Sequence, residues 1–184
     1  MSSLQKFHRR TNNAPSGLVT WPATAIGGGD DAHGYWLGDA STNKLIVAPK
    51  STEVQRAWGT GQQNILRGTN STTNGLANTN ILAAFGSSVT TGHPAAHYCK
   101  NLTTGGYNTW YLPAKDECAT MYNNRNATPF STANNLSTTY YWSSTESNGN
   151  YVFALVGSNG TFYTGGKSYH YEHFSTRAVR RSTI

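Results

Sequence analysis

The chain has 184 residues, which is enough for one domain with a substantial core and too few for two comfortable domains. Hydrophobic residues make up 36% and charged residues only 12%, a balance that argues against disorder, which needs high charge and few aromatic residues. The net charge of +6 is compatible with nucleic-acid binding, but the fourteen Lys and Arg residues are scattered. We therefore expect no nucleic-acid partner.

The beginning of the chain predicts an arm. Residues 1–34 are rich in Gly and Pro and show no helical period, so we predict an extended N-terminal segment. Phe7, Trp21 and Ile26 are among its hydrophobic anchors, and we expect them to dock on a neighbouring subunit or partner; a frayed terminus is the equal alternative.

The basic first ten residues are followed by no apolar segment, unlike a signal peptide, and no apolar run has transmembrane length. We expect no membrane insertion.

A globular domain is predicted over residues 35–184. It opens with two strands, residues 35–38 and 44–49, on either side of a turn. The polar stretch that follows has Trp58 as its one large hydrophobic anchor.

Three helices are predicted next. The first starts near Ala77 and ends at Gly86, the second starts at Pro94 and ends at Gly105, and the third starts at Pro113. Their apolar stripes, which we expect to face the core, are Ala77, Ile81, Leu82 and Phe85 in the first helix, Ala95, Tyr98, Cys99 and Leu102 in the second, and Ala114, Cys118, Met121 and Tyr122 in the third.

The two cysteines, Cys99 and Cys118, lie on these stripes, and two buried thiols are the favoured interpretation. A disulfide between adjacent helices is the alternative if the chain matures outside a cell.

Strands dominate the remainder. Residues 140–143 predict one strand, and residues 151–156 are apolar on both faces and predict a central one. The sequence at 158–160 predicts a hairpin turn into a strand at 161–163. A final strand, residues 176–180, carries arginines in alternation and is predicted to have one wet face. Helices followed by antiparallel strands indicate an α+β domain.

Three motifs in this order resemble those of a known family. Residues 105–117 read Gly-Gly-Tyr-x-x-Trp-Tyr-Leu-Pro-x-x-x-Glu, residues 141–146 read Tyr-Trp-Ser-Ser-Thr-Glu, and residues 177–180 read Arg-Ala-Val-Arg. They resemble the signatures of the Lcl C-terminal domain family, a relative of the C-type-lectin-like variable proteins made by diversity-generating retroelements. The resemblance implies a loop-rich C-type-lectin-like fold, with about three helices on a small twisted antiparallel sheet. Its fold-motif residues here are Trp110, Leu112, Pro113, Glu117, Trp142, Ser143, Ser144, Arg177 and Arg180.

The resemblance also implies where a ligand would bind. In the related variable proteins, the segment between the second motif and the last arginines forms the exposed ligand-facing side. Tyrosine rings and asparagine amides suit such a surface, although Tyr151 and Tyr163 could instead serve cross-strand packing. The candidate ligand-binding residues are Asn148, Asn150, Tyr151, Asn159, Tyr163, Lys167, Tyr169, His170, Tyr171 and His173.

The sequence gives little support for metal binding or catalysis. His93 and His97 have a spacing that can hold a metal, but no third ligand is evident, and cap or helix-surface roles are favoured. Outside the pairs Asp30-Asp31 and Asp116-Glu117, the eight acidic residues are isolated, which disfavours calcium. The enzyme branch of this fold uses a late cysteine pair, and no cysteine follows Cys118. We expect no metal, no cofactor and no enzymatic activity.

The function expected from these features is that of a non-enzymatic binding module in a phage virion, at a tail fibre or tail tip. It would recognise a host-surface glycan or protein through the 147–174 side and attach to other virion proteins through residues 1–34. The alternative is a structural virion component, such as a capsid decoration or collar protein, and a bacterial surface adhesin comes third. We expect a homo-oligomer, with a trimer as a sensible form, because weak binding gains from multivalency.

Overall fold

This computed structural model describes residues 29–30, 33–40, 43–61, 64–88, 92–128, 130–133, 135–167 and 174–182. The helices in this part of the chain are α1 (Gly75–Ala83), α2 (Pro94–Lys100), α3 (Lys115–Asn123) and the short α4 (Phe130–Ala133). None of them is long and apolar enough to cross a membrane. The strands are β1 (Gly29–Asp30), β2 (Gly34–Ala40), β3 (Asn43–Val47), β4 (Val54–Arg56), β5 (Tyr140–Glu146), β6 (Tyr151–Val156), β7 (Phe162–Gly166), β8 (Phe174–Thr176) and β9 (Val179–Ser182).

The strands form two sheets. The first has the order β1-β2-β3-β9 and the second the order β4-β8-β5-β6-β7. All named pairs are antiparallel except β5–β8, which is parallel. The α+β class is confirmed, and so are the interior position of β6 and the hairpin that joins it to β7. The strands are divided between two sheets, where the sequence led us to expect one.

The core has two parts because neighbouring residues of the same strand point to opposite sides. On one side, Trp142 and Ala154 pack with Trp58 and with residues of α1 and α2. On the other side, Tyr141 and Leu155 pack with α3, α4 and the apolar residues of β2 and β3. The second sheet is therefore covered by helices on both faces over much of its area.

Glu117 holds the start of α3 in place. Its carboxylate accepts hydrogen bonds from the backbone N–H groups of Ala114 (2.8 Å) and Gly75 (3.2 Å), which belong to the first turns of α3 and α1. It also accepts from the Tyr111 hydroxyl (2.8 Å) and pairs with Arg181 at 2.7 Å. Glu117 is almost fully buried, so one carboxylate joins two helix starts to β9.

The other motif residues are also internal. Trp142 donates from Nε1 to the Arg56 carbonyl (2.8 Å), Ser143 donates to the Phe153 carbonyl (2.7 Å), and the Ser144 N–H donates to the Pro113 carbonyl (2.7 Å). These residues position strands and loops, so they belong to the fold. Trp110, Leu112, Pro113, Glu117, Trp142, Ser143, Ser144, Arg177 and Arg180 are all buried.

The stripe predicted for the first helix is wrong at three of its four positions, and only Leu82 is buried as predicted. Ile81 and Phe85 are 39% and 41% exposed, whereas the buried side of α1 carries Asn78, Thr79 and Leu82. Thr79 Oγ1 donates to the Leu112 carbonyl and accepts from the Leu112 N–H, so its burial is satisfied by the neighbouring chain. Polar side chains with such partners share the inward face with Leu82, and the other three residues of the predicted stripe are exposed.

The final strand predicted at 176–180 is also wrong in two respects. It is divided between β8 in the second sheet and β9 in the first. Its arginines are not on a wet face: Arg177 donates to the Ala48 carbonyl (2.7 Å) and to Glu53 (3.0 Å), and the Arg180 guanidinium lies 3.6 Å from the centre of the Tyr107 ring. These partners are far away in the sequence but in contact in the fold, and their interactions offset the free-energy cost of burying the two charges.

Several local expectations are confirmed. Trp58 is a buried anchor, and Cys99 and Cys118 are buried free thiols that lie in different parts of the core. His93 occupies the N-cap position of α2 and is buried, and burial lowers its pKa to about 4.

Residues 1–28 of the predicted arm lie outside the described residues, whereas Gly29–Asp30 pairs with β2 in the first sheet.

Gly160, in the turn between β6 and β7, provides a test of this packing. Its φ is +78°, and a Cβ at this position would lie 2.2 Å from the Tyr122 ring of α3. We expect Gly160→Ala to lower the free energy of unfolding by roughly 2–4 kcal/mol, the sum of left-handed strain and overpacking. Urea unfolding followed by tryptophan fluorescence measures this change.

Gly106 is the matched control, because its φ is +76° and nothing lies within 4 Å of its hypothetical Cβ. Gly106→Ala should cost only the backbone strain of roughly 1–2 kcal/mol. Equal losses in the two variants would show that the Tyr122 ring does not press on the turn.

Candidate binding surface

A row of aromatic rings crosses one face of the second sheet. Tyr140 of β5 lies 5.3 Å from Tyr163 of β7 and 4.8 Å from Phe174 of β8, measured between ring centroids. Tyr140 and Tyr163 are 37% and 43% exposed, and Phe174 is half-buried. We call Tyr140, Tyr163 and Phe174 the aromatic row.

Strand pairing explains how the row forms. Tyr163 pairs with Ala154 of β6, and Ala154 pairs with Trp142 of β5, so these side chains share a face. Because Ala154 is small, β6 adds no large ring between Tyr163 and Tyr140. Trp142 lies on the same face, with its ring 4.3 Å from Phe174. One end of the row therefore packs against a fully buried tryptophan.

The row continues into a pocket. Arg56 of β4 pairs with Phe174 of β8 at the edge of the sheet, and its guanidinium lies 5.6 Å from the centre of the Tyr98 ring on α2. A pocket of about 380 Å³ opens here between β4 and α2. Its lining residues are Arg56, Ser87, Pro94, His97, Tyr98, Asn101, Leu102 and Thr103.

The structure does not bring the predicted ligand-binding residues into one surface. Tyr163 lies in the aromatic row, but Tyr151 lies on the opposite face of the sheet, because it is three residues from Ala154, the partner of Tyr163. Both tyrosines are exposed to nearly the same extent, 42% and 43%. Only one of the two can contact a ligand that lies on the row.

The predicted asparagines lie at two ends of the sheet. Asn148 and Asn150 are in the turn between β5 and β6, and Asn159 is in the turn between β6 and β7, roughly 20 Å away by the rise of β6. Asn148 Oδ1 accepts hydrogen bonds from two N–H groups of its own turn, and Asn159 Oδ1 accepts from Thr161. These amide oxygens stabilise their turns.

Lys167 was predicted to face a ligand, and this is wrong because the residue is fully buried. Its Nζ lies 2.5 Å from Glu146 Oε1 and donates to the Ile65 carbonyl at 3.1 Å. Burial lowers the pKa of Lys167, an effect that Glu146 opposes. For Glu146, burial would raise the pKa, but hydrogen bonds from Lys167 and from the N–H groups of Arg67 and Thr69 bring it below its ordinary value. This pair attaches the 64–69 segment to the sheet.

The remaining candidates, Tyr169, His170, Tyr171 and His173, lie outside the described residues. Within the described part, no group of three or more His, Cys, Asp or Glu side chains could hold a metal ion. Tyr140, Phe174, Arg56 and the α2 residues of the pocket were not predicted from the sequence. The alternation of Tyr140 with the core residue Tyr141 was the available signal, since it places the two rings on opposite faces.

Comparison with known proteins agrees with the fold motifs. A search of curated proteins found no match. The model of the Lcl C-terminal domain family matches residues 30–180, which include strands β2 to β8 in full, half of β1 and of β9, and all the described helices. This family indicates a lectin-like binding domain. The chain therefore belongs to the Lcl C-terminal domain family.

Proposed function

We propose that this protein is a non-enzymatic binding module of a phage virion, at a tail fibre or tail tip, and that it recognises a host-surface glycan with the aromatic row. The observation that carries this proposal is the exposure of Tyr140 and Tyr163 side by side on a rigid sheet. Aromatic rings offer apolar faces on which sugar rings stack, while the tyrosine hydroxyls can hydrogen-bond to sugar hydroxyls.

The rest of the domain supports a role in recognition. Trp58, Trp110, Trp142, Tyr111 and Tyr141 are fully buried, whereas the two tyrosines of the row are exposed next to each other. Phe174 of the row packs against the buried Trp142, so the row would need little reordering to bind, which favours affinity. Membership in a lectin-like family is consistent with this use of the surface.

Attachment to the particle would involve residues 1–34, and a homo-oligomer such as a trimer would present several rows at once. Weak contacts with single sugars would then add up to firm adsorption.

A structural virion role is the second candidate, and the exposed side of α1 favours it. Leu76 and Ile81 of α1, and Phe85 two residues after its end, are 41%, 39% and 41% exposed, and α1 itself carries no charged residue. A subunit contact would remove this apolar surface from water. In that case the protein would associate with itself or with other virion proteins and bind no host cell.

The proposal predicts that Tyr140→Ala combined with Tyr163→Ala abolishes binding of the labelled protein to intact host cells. The melting temperature should fall by less than about 5 °C, because both rings are partly exposed and each loses only part of its buried area. Tyr151→Ala is the matched control: it removes an equally exposed tyrosine from the opposite face and should leave binding unchanged.

Treatment of the cells identifies the kind of receptor. We expect binding to be lost after periodate oxidation of cell-surface sugars. We expect it to be retained after protease treatment and in EDTA. The reverse pattern would indicate a protein receptor. A folded protein that binds none of the candidate hosts would contradict the proposal and favour the structural role.

A further inference from the structure

We propose that the pocket between β4 and α2 binds an N-acetylated amino sugar, as the end unit of a glycan that lies along the aromatic row. This inference rests on the proposed function and names the ligand class for one end of the same surface. It is carried by the position of the pocket and by the mixture of groups in its wall.

The position of the pocket makes it an extension of the row. Arg56 pairs with Phe174 across β4 and β8, so the wall of the pocket begins where the row ends. From β7 to β4 the surface crosses four strand spacings, roughly 19 Å. A short oligosaccharide on the rings would therefore extend its terminal unit into the pocket.

One wall of the pocket supplies hydrogen-bond donors. Arg56 is the charged residue in the lining, and its guanidinium has five N–H donors, of which Nη1 donates to the Gln55 carbonyl at 3.0 Å. Its position over the Tyr98 ring orients the guanidinium, and the Tyr98 hydroxyl is in turn anchored to the Thr52 carbonyl at 2.6 Å. The donor is thus supported on a fixed ring.

The other side of the pocket combines an amide with apolar surface. Asn101 donates from Nδ2 to the His97 carbonyl at 2.8 Å, an orientation that leaves Oδ1 as an acceptor on the α2 end. Pro94 and Leu102 contribute apolar atoms to the same lining. The wall therefore offers a donor, an acceptor and a hydrophobic contact within about 380 Å³.

An acetamido group matches all three features. Its carbonyl oxygen accepts from Arg56, its N–H donates to Asn101 Oδ1, and its methyl group packs against Leu102 and Pro94. An unsubstituted hexose has no methyl group for the apolar wall, and a carboxylated sugar uses Arg56 alone. A sugar binds less tightly when one of its polar groups enters the pocket without a hydrogen-bond partner. This difference in affinity makes the pocket selective.

The test is saturation-transfer NMR of the intact protein with N-acetylglucosamine, N-acetylgalactosamine, glucose and glucuronate. We expect the acetamido methyl of an N-acetylated sugar to receive the strongest saturation, and that sugar to compete with host-cell binding. Arg56→Gln should weaken its binding about tenfold or more, since a charge-assisted hydrogen bond is lost.

Arg125→Gln is the matched control, because Arg125 also stacks on a tyrosine, Tyr122, and donates to a nearby carbonyl, yet lies away from the pocket. It should leave sugar binding unchanged. Equal binding of glucose, preference for glucuronate, or equal effects of the two substitutions would overturn the inference. Cell binding that depends on Tyr140 and Tyr163, but with which no N-acetylated sugar competes, would overturn the inference and leave the proposed function intact. Absence of any cell binding would instead overturn the proposed function.

Discussion

Lys167→Met is expected to lower the free energy of unfolding by roughly 3–5 kcal/mol, because it leaves the buried Glu146 carboxylate without its ion-pair partner. Methionine fills a similar space, so the loss reports the charge and not a cavity. The 64–69 segment should also loosen, since the Lys167 Nζ no longer holds the Ile65 carbonyl. Urea unfolding at pH 7 measures the first effect and amide hydrogen exchange of this segment the second.

The control is Lys100→Met, which removes an exposed lysine at the end of α2 and should change stability by no more than about 0.5 kcal/mol. The double variant Lys167→Met with Glu146→Leu should recover part of the loss, because no charge is then left unpaired. Recovery stays incomplete, as the N–H groups of Arg67 and Thr69 lose their acceptor. If Lys167→Met alone is as stable as the wild type, the ion pair between Lys167 and Glu146 does not form.

The same pair makes a prediction about pH. The pKa of Glu146 in the folded protein lies below its ordinary value of 4.5, so the ionised form is favoured by folding. Its contribution to stability is therefore fully present above pH 4.5 and is lost as the pH falls through the lowered pKa. Since Glu53 has a lowered pKa as well, two carboxylates should contribute to acid unfolding of the wild type. Lys167→Met should reduce the dependence of stability on pH in this range.

Glu117→Ala is expected to lower the free energy of unfolding by at least about 3 kcal/mol. The substitution leaves the N–H groups of Ala114 and Gly75 and the Tyr111 hydroxyl without this acceptor, and each buried polar group left unsatisfied costs roughly 1–3 kcal/mol. Urea or thermal unfolding measures the change. The near-ultraviolet circular dichroism should also weaken, because the buried Tyr111 loses its fixed partner.

Asp116→Ala provides the comparison within the same helical turn. Asp116 is exposed and favours the helix chiefly through the helix dipole, so its loss should cost about 0.3–1 kcal/mol. A similar cost for the two neighbouring acidic residues would contradict the role given to Glu117. Glu117→Gln should fall between them, because its amide oxygen keeps one acceptor but its NH₂ faces Arg181.

Local chemistry made much of the fold predictable. Pro94 begins α2 as expected, and the acidic first turn of α3 lies where the sequence places it. The stripe of α3 was predicted correctly, since Ala114, Cys118 and Met121 are fully buried. Such features depend on a few consecutive residues and on the periodicity of their apolar side chains.

The candidate surface was less predictable because it depends on strand register. A segment of tyrosines and asparagines indicated exposure but not which face each side chain occupies. Register places Tyr163 beside Tyr140 and sends Tyr151 to the other side. It also joins Arg56, more than eighty residues earlier than Tyr140, to the end of the aromatic row.

By itself, the sequence determined the α+β class, the family, the start of α2, the starts of α1 and α3 to within two residues, and the β6–β7 hairpin. These follow from caps, turns, periodicity and motifs. Only the tertiary structure decided which polar residues are buried. Lys167, Arg177 and Glu117 look like surface residues until their partners, Glu146, Glu53 and Arg181, are brought to them by the fold. The physical reason is that burial of a charge depends on a partner distant in sequence, and no local pattern records that partner.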